Sequence, residues 1–177
     1  MTPDIIMKNK ENFTMKQAGI PDRVSKGDVS VQERLKFLDK TQLHAVLATE
    51  AAEQPYTSLI AYALTPDMKG VLFITPKFTR KYKNIMKNSR VSLLIDTRSN
   101  TKKDYMGAEA VTVLGNAVLV RRGKKRSELA DIFLKKHHGL REIINSPETA
   151  FILVDINACM HVTQFQSVSI WDKKANT

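Results

Sequence analysis

The sequence predicts a mainly β protein, a small antiparallel β-barrel with short helices. Six or seven short segments rich in Val, Leu, Ile and Thr are separated by turn residues, and two or three short amphipathic helices lie between them. Because strands follow one another without regular strand–helix–strand alternation, an antiparallel barrel is favoured over a doubly wound sheet. At 177 residues, 42% of them hydrophobic, the chain is long enough for one domain with a substantial core.

The first predicted helix follows Ser30. This residue is a suitable N-cap, and Glu33 stands at the N3 position of a capping box. Apolar residues then recur at helical spacing: Val31, Leu35 and Leu38. Residues 1–29 contain only scattered apolar residues, so we expect them to form a loosely packed N-terminal extension outside a domain at residues 30–177.

The remaining elements are strands and two further helices. Strands are predicted at residues 43–49, 56–64, 71–75, 91–95, 108–120, 150–156 and 161–171. We expect the fifth strand to be kinked at Gly115. Helices are predicted at 77–88 and 127–136, the first with Phe78 and Tyr82 on one apolar face. Several strands are apolar on both faces, which favours a barrel interior on one side and a subunit interface on the other.

The chain is strongly basic, with a formal net charge of +10 from 28 basic and 18 acidic residues. Such a balance favours anionic partners, namely nucleic acids, acidic lipids or phosphorylated small molecules. Residues 77–90 contain six basic and no acidic residues, and residues 121–126 contain five basic residues. No secretory signal or membrane span is visible, and the single cysteine, Cys159, cannot form an internal disulfide. We therefore expect a cytoplasmic protein with no membrane partner.

The start of the helix at 77–88 carries the clearest chemical signal. Thr79 is a natural N-cap, and Arg80 and Lys81 follow it directly. Cations in a first helical turn are electrostatically unfavourable, because that end of the helix dipole is already positive. A bound anion removes this repulsion, since free backbone N–H groups, a hydroxyl and two cations can contact it together. The segment predicts a phosphate site, although a solvated basic helix face would give the same pattern.

Residues 54–96 resemble the pyridoxamine 5′-phosphate oxidase-like family of FMN-binding split barrels. The matching pieces are the strand end Phe73-Ile74-Thr75, the group Thr79-Arg80-Lys81, and the helix–strand boundary at residues 87–94. The order and spacing of these pieces are more specific than any one of them, and the likeness extends loosely from about residue 30 to Trp171. The resemblance implies a homodimer with FMN at its interface and a small-molecule substrate.

The resemblance also implies which residues bind the cofactor. Arg80 and Lys81 match the phosphate contacts, with Thr79 beside them and Ser58 helping. Residues 57–60 match the strand that lines the phosphate, the ribityl chain and the ring. The implied cofactor-binding residues are Thr57, Ser58, Leu59, Ile60, Ile74, Thr75, Thr79, Arg80, Lys81 and Trp171. Trp171 would reach the flavin from the second subunit, and no side chain is identified as a general acid or base.

Two departures from the family's pattern concern the substrate. Ala110 stands where true pyridoxamine phosphate oxidases have a glutamine near the ring. After Trp171 the sequence reads Asp172-Lys173-Lys174-Ala175-Asn176-Thr177, without the Arg- and His-bearing tail that grips the substrate phosphate in those enzymes. Oxidation of pyridoxamine phosphate is therefore not expected. We expect an FMN-dependent oxidoreductase with another substrate, in which the flavin supplies the redox chemistry.

Two other functions stay open at this point. One is a protein that carries flavin or haem without turnover. The other is a basic β-barrel that binds nucleic acid through a groove with stacked aromatic residues, which is disfavoured because Phe78 and Tyr82 are predicted on the buried helix face. No metal site is expected, because the closely spaced Cys159 and His161 supply only two ligands.

Overall fold

The structure is a computed structural model that describes residues 30–163 and 167–173. The predicted N-terminal extension, residues 1–29, lies outside the described residues. Within the described ranges the strands are β1 (His44–Ala51), β2 (Gln54–Leu64), β3 (Gly70–Pro76), β4 (Arg90–Asp96), β5 (Glu109–Leu119), β6 (Thr149–Thr163) and β7 (Ser167–Asp172). The helices are α1 (Val31–Thr41), α2 (Arg80–Lys87), α3 (Asp104–Gly107), α4 (Lys124–Lys136) and α5 (Arg141–Asn145), with a 3₁₀ turn at His138–Leu140.

The strands form one antiparallel sheet in the order β3-β2-β1-β4-β5-β6-β7. Pairing of β3 with β6, from Gly70↔Asp155 to Pro76↔Thr149, closes the first six strands into a barrel, and β7 extends the free half of β6. The predicted β-barrel with short helices is therefore confirmed. No helix in the described ranges is long and apolar enough to cross a membrane.

The barrel interior holds the main hydrophobic core. Alternate residues of each strand point inward, so that Leu47, Tyr62, Phe73 and Leu93 are fully buried. Helix α1 covers one end of the barrel, and its apolar side chains Val31, Leu35 and Leu38 belong to the same core. The predicted capping box starts this helix: Ser30 Oγ accepts from the Glu33 backbone N–H, and the Glu33 side chain accepts from the Ser30 N–H.

A second apolar cluster lies outside the barrel, beneath α4 and α5. Phe133 and Ile144 from these helices pack with Leu72 and Phe151 on the outer faces of β3 and β6. Polar contacts fix the C-terminal end of α4, because His137 Nε2 lies 2.7 Å from the Tyr62 carbonyl oxygen. The two faces of β3 are therefore both buried, one by the barrel core and one by helices.

A charged group ties α1 to the barrel wall. Arg34 of α1 forms a two-point contact with the carboxylate of Glu109 on β5, in which Nε donates to Oε2 over 2.8 Å and Nη2 donates to Oε1. His161 of β6 lies 2.8 Å from the same Oε2. Burial alone would raise the pKa of the Glu109 carboxyl, but the hydrogen bonds from Arg34 and His161 outweigh burial and lower this pKa.

Some predicted boundaries are wrong. Residues 149–163 form one continuous strand, not two strands at 150–156 and 161–171. Asn157, which lies in the predicted gap, occupies a bulge: Leu114 pairs with Ala158 and Gly115 with Ile156, so Asn157 has no directly opposed residue on β5. The register shift falls beside Gly115, where a kink in β5 was predicted, but the extra residue lies on β6, and β5 itself is continuous over Glu109–Leu119. The last long helix also begins earlier than predicted, at Lys124, and α5 was not predicted.

Candidate functional site

The candidate site begins where β2 and β3 separate. These strands pair only through Tyr62↔Phe73, Ala63↔Leu72 and Leu64↔Val71. Before this point β2 pairs with β1 alone, over residues 54–61, and beyond it β3 pairs with β6 alone, over residues 74–76. The barrel wall is consequently split between residues 54–61 of β2 and residues 74–76 of β3.

Backbone groups along this split are left free of strand partners. The N–H of Tyr62 points toward β1, since it donates to the Leu43 carbonyl over 3.4 Å. Successive N–H groups of a strand point to opposite sides, so those of Leu59 and Ala61 face the split. The same alternation applies to β3. The Gly70 carbonyl points toward β2 and accepts from the Thr65 N–H, so the backbone N–H and carbonyl of Ile74, four residues later, also point toward β2 and face the split. Main-chain donors and acceptors therefore line both edges of the split.

Helix α2 begins directly after β3, and its N-terminus carries the predicted phosphate-binding residues. Thr79 is the N-cap, and its Oγ1 accepts from the Tyr82 N–H over 3.4 Å and lies 2.9 Å from Thr75 Oγ1. No acidic residue occurs in the first turn. Among the described residues, neither Arg80 nor Lys81 forms an ion pair. The helix start therefore presents two cations and free N–H groups without a compensating charge.

Tyr56 is a neighbour of the site that the sequence did not identify. The Arg80 guanidinium lies over the Tyr56 ring, with 4.9 Å between Cζ and the ring centroid. This cation–π contact joins the start of α2 to β2 across the split. The contact keeps the guanidinium beside the β2 strand without neutralising its charge.

A buried hydrogen-bond chain fixes α2 against the β1–β2 hairpin. Asn84 Nδ2 donates to Thr49 Oγ1 over 3.1 Å, and that hydroxyl donates to the Tyr56 carbonyl oxygen over 3.3 Å. Near the end of α2, Asn88 Nδ2 donates to Glu50 Oε2 over 2.5 Å. Helix α2 therefore cannot shift relative to β2 without breaking buried polar contacts, and the first turn is held rigidly at the split.

Ser58 provides a further signal at the split. Among the described residues, its Oγ atom is buried without a hydrogen-bond partner. A buried hydroxyl without a hydrogen-bond partner lowers the stability of the fold by about 1–3 kcal/mol. Buried hydroxyls that have no partner in the protein therefore usually bond to water or to a ligand. Ser58 lies two residues before Ile60 on β2, so both side chains point into the barrel. An external hydrogen-bonding group reaching into the split would satisfy it.

The predicted site residues divide into distinct groups. The side chains of Ser58, Ile60 and Thr75 stand at the strand positions that point into the barrel, and Ile60 and Thr75 are buried. Thr57 and Leu59 point outward, and 66% of Leu59 is exposed. Five others lie elsewhere around the split or away from it: Ile74, Thr79, Arg80, Lys81 and Trp171. The Ile74 side chain packs on the second apolar cluster, so only its backbone faces the split.

Trp171 is far from this site within one chain. It lies on β7 opposite Cys159, whereas Thr75 lies opposite Ala150 on the same β6 strand. The two positions on β6 are nine residues apart, or roughly 30 Å of strand. The Trp171 side chain packs against the barrel core. Its predicted contact with a flavin therefore requires a second copy of the chain.

Phe78 does not have the predicted buried position. It precedes the N-cap of α2, which starts at Arg80, and 72% of it is exposed. The buried face of α2 is formed by Asn84 and Ile85. Phe78 is therefore accessible for stacking on a base, whereas Tyr82 packs against the barrel core.

Two cavities lie away from the split, around the β4–β5 loop. One, of about 250 Å³, has walls that include Leu94, Glu109 and Val162. Its neighbour, of about 520 Å³, is lined by residues of the loop itself, including Arg98 and Tyr105. The residues at the split present surface cations and backbone groups, which suit a charged extended ligand lying along the strands and do not need an enclosed cavity.

The described residues include no group of side chains suited to bind a metal ion, and their one cysteine is not suited to act as a nucleophile. Within them, no three His, Cys, Asp or Glu side chains are grouped as a metal site would require. Burial raises the pKa of Cys159 to about 12, so its thiol stays protonated. This residue fills space in the barrel core.

Comparisons with known proteins identify the family and the fold of the chain. The family model described as pyridoxamine 5′-phosphate oxidase matches residues 31–162. None of the curated protein sequences matches the chain. A haem-binding protein from Mycobacterium smegmatis superposes with a TM-score of 0.73 at 16% identity, over 84% of this chain and 60% of that one. The chain thus spans less than two thirds of the length of this structural relative.

Two shorter solved structures match over most of their own length. A FAD-binding protein from Mesorhizobium loti gives a TM-score of 0.60 at 18% identity, covering 75% of this chain and 94% of that one. HutZ, a haem storage protein from Vibrio cholerae, gives 0.58 at 16% identity, covering 73% and 92%. At such identities these likenesses establish the fold that the chain shares with them.

Proposed function

The chain belongs to the pyridoxamine 5′-phosphate oxidase family, and we propose that it is an FMN-dependent oxidoreductase whose cofactor phosphate binds at the start of α2. The observation that carries this proposal is the helix N-terminus at the split, where Arg80 and Lys81 have no ion-pair partner among the described residues. A phosphate monoester would accept from both side chains and from free N–H groups of the first turn.

The rest of the split suits the remainder of a flavin mononucleotide. The buried Ser58 Oγ needs a hydrogen-bonding partner, which a phosphate oxygen or a ribityl hydroxyl would supply. Free backbone groups at Leu59, Ala61 and Ile74 can contact the polar edge of a ring that lies along the split. The residues present therefore fit this cofactor.

The flavin, when bound, supplies the hydride or electron transfer chemistry. The residues of this chain bind and orient the flavin. Arg80 and Lys81 neutralise the phosphate, and the Asn84–Thr49 hydrogen bond holds the helix that carries them. Thr75 and Thr79 fix the β3–α2 turn through their hydroxyl contact. No side chain at the split is assigned as a proton donor or acceptor.

A homodimer with FMN at its interface is part of the proposal. One row of outward-facing residues crosses six strands: Leu59, Val46, Leu94, Thr112, Met160 and Ile170. Five of these are apolar, and all are at least partly exposed. A contiguous exposed apolar surface is typical of a protein interface. The proposed contact of a Trp171 with the flavin also requires the second copy, because the Trp171 of the same chain is too far away and packs against its own barrel core.

Haem binding is the second candidate, favoured by the haem-binding proteins among the structural relatives. A haem iron usually takes a histidine as its axial ligand. The Nε2 atoms of His137 and His161 already contact Tyr62 and Glu109, which leaves the exposed His44 and His138 as the accessible imidazoles. Because neither lies on the split, we place this function second.

Absorption spectroscopy tests the two candidates directly. The purified protein, stripped of ligand, is titrated separately with FMN and with haem, and the ligand that co-purifies is identified by mass spectrometry. We expect saturable binding of FMN with perturbed flavin bands, at one FMN per chain. A haem Soret band with saturable haem binding and no FMN binding would replace the first proposal by the second.

A further inference from the structure

The second basic segment of the chain, which the cofactor site does not use, forms an exposed surface between β5 and α4. We name this surface the basic corner; it consists of Val118, Leu119, Arg121, Arg122, Lys124 and Lys125. All four cations are exposed. Between residues 118 and 130 the sequence contains one acidic residue, Glu128, which lies 4.0 Å from Lys124 in a highly exposed pair. Such a pair is screened by solvent, so the surface keeps its positive charge.

The basic corner is held on a rigid support. Arg126, the next cation along the chain, turns inward: its Nη2 donates to the Ile144 carbonyl over 2.7 Å, and its guanidinium lies over the Phe151 ring. On the other side, the Val120 N–H donates to the Phe151 carbonyl over 2.8 Å. With both ends fixed to the barrel, the four remaining cations are exposed within five consecutive residues, 121–125.

Apolar side chains are exposed beside these cations. Val118 is 48% and Leu119 is 38% exposed, because β5 continues past its last pair with β4, Arg90↔Asn116, and its end has only β6 as a neighbour. On α5, which Arg126 contacts, Ile143 is 47% exposed. Val118 and Leu119 are successive residues of β5 whose side chains point to opposite faces, so one exposed aliphatic side chain lies on each face of the strand end that leads to the cations.

We infer that the basic corner is a docking surface for an anionic lipid bilayer. Cations attract acidic headgroups, and an exposed aliphatic side chain beside them can enter the interfacial layer, so that electrostatic attraction and apolar burial both favour binding. Nucleic acid fits less well, because a single strand needs aromatic side chains for base stacking and the exposed apolar residues here are aliphatic. Binding of this kind needs no membrane-spanning segment, so it corrects the expectation from the sequence that the protein has no membrane partner.

Vesicle co-sedimentation tests this inference with the full-length protein. Vesicles of phosphatidylcholine alone are compared with vesicles that also contain phosphatidylglycerol, at low and high salt. The variant Arg121→Gln/Arg122→Gln removes two charges from the basic corner. The matched control, Lys36→Gln/Lys40→Gln, removes two exposed cations from α1 at the other end of the barrel. Circular dichroism checks that each variant folds.

We expect binding to the anionic vesicles only, weakened by salt, with a partition coefficient roughly 30-fold lower in the Arg121→Gln/Arg122→Gln variant. The control variant should change the partition coefficient by less than about three-fold. The variant Val118→Ser/Leu119→Ser should weaken the part of the vesicle binding that persists at high salt. Absence of binding to anionic vesicles would overturn the inference, as would an equal loss in the control. Binding to a DNA duplex that depends on Arg121 and Arg122, without vesicle binding, would also overturn it and assign the surface to nucleic acid.

Discussion

Replacing Glu109 with alanine should destabilise the protein by separating α1 from the barrel wall. The Glu109 side chain is 9% exposed and contacts Arg34 and His161, whose side chains are 29% and 10% exposed. Removing one partner of a fully buried ion pair costs about 3–5 kcal/mol, because the remaining charge is left without compensation. Since Arg34 can turn partly into solvent, we expect a loss of about 2–4 kcal/mol at neutral pH.

The effect should depend on pH in a defined direction. The pKa of Glu109 is lower in the folded protein than in the unfolded chain, so its contribution is present above the unfolded value of about 4.3. That contribution is lost as the pH falls through the folded pKa. The stability difference between the wild type and Glu109→Ala should therefore be largest near neutral pH and should narrow below about pH 4.

Urea unfolding at several pH values measures both effects. Asp131→Ala, which removes an exposed carboxylate from α4, is the control and should change the free energy of unfolding by less than about 0.5 kcal/mol. The double variant Arg34→Met/Glu109→Ala should lose less than the sum of the single changes, because the two groups interact directly. A loss below about 1 kcal/mol for Glu109→Ala, or a difference that stays constant down to acid pH, would refute this reasoning.

Three further changes test local parts of the fold. Ser30→Ala removes the side-chain cap of α1 and should lower the free energy of urea unfolding by about 1 kcal/mol; no change would mean that the cap is not formed. Asn84→Ala breaks the buried bond to Thr49, so we expect a loss of about 1–2 kcal/mol with weaker FMN retention, and unchanged values of both would contradict the role given to this bond. Gly115→Ala places a methyl group against the Asp155 carbonyl oxygen and the Val154 side chain, and should lower the Tm by about 5 °C in calorimetry; an unchanged Tm would show that the bulge adapts.

Features set by neighbouring residues could be predicted from the sequence. The capping box at Ser30 and Glu33 and the N-cap at Thr79 depend on atoms within one helical turn, and both occur as predicted. One glycine inside a long strand pattern marked Gly115 as a special position, and the register shift between β5 and β6 lies beside it, although the extra residue is on β6. The fold class was predictable because consecutive hairpins restrict the order of antiparallel strands.

Features that join distant parts of the chain could not be predicted. Arg34 and Glu109 are 75 residues apart, and nothing near either residue indicates the partner. The stacking of Arg80 on Tyr56 could not be predicted from the sequence either, because it depends on the position at which β2 and β3 separate. Phe78 matched the helical apolar pattern but precedes the cap, and a boundary shifted by a few residues placed it in solvent. The roles of the ten cofactor-binding residues stay predictions.

The central claim is that Arg80 and Lys81 bind the phosphate of FMN. The most direct test is calorimetric titration of Arg80→Ala/Lys81→Ala with FMN and with riboflavin, which lacks the phosphate. Lys83→Ala/Lys87→Ala, which removes two exposed cations later in α2, is the matched control. Two charge-assisted hydrogen bonds contribute roughly 3–6 kcal/mol, so the Kd for FMN should rise by about 10²–10⁴-fold while riboflavin binding stays unchanged. Equal FMN affinity in the wild type and in the Arg80→Ala/Lys81→Ala variant would contradict the account.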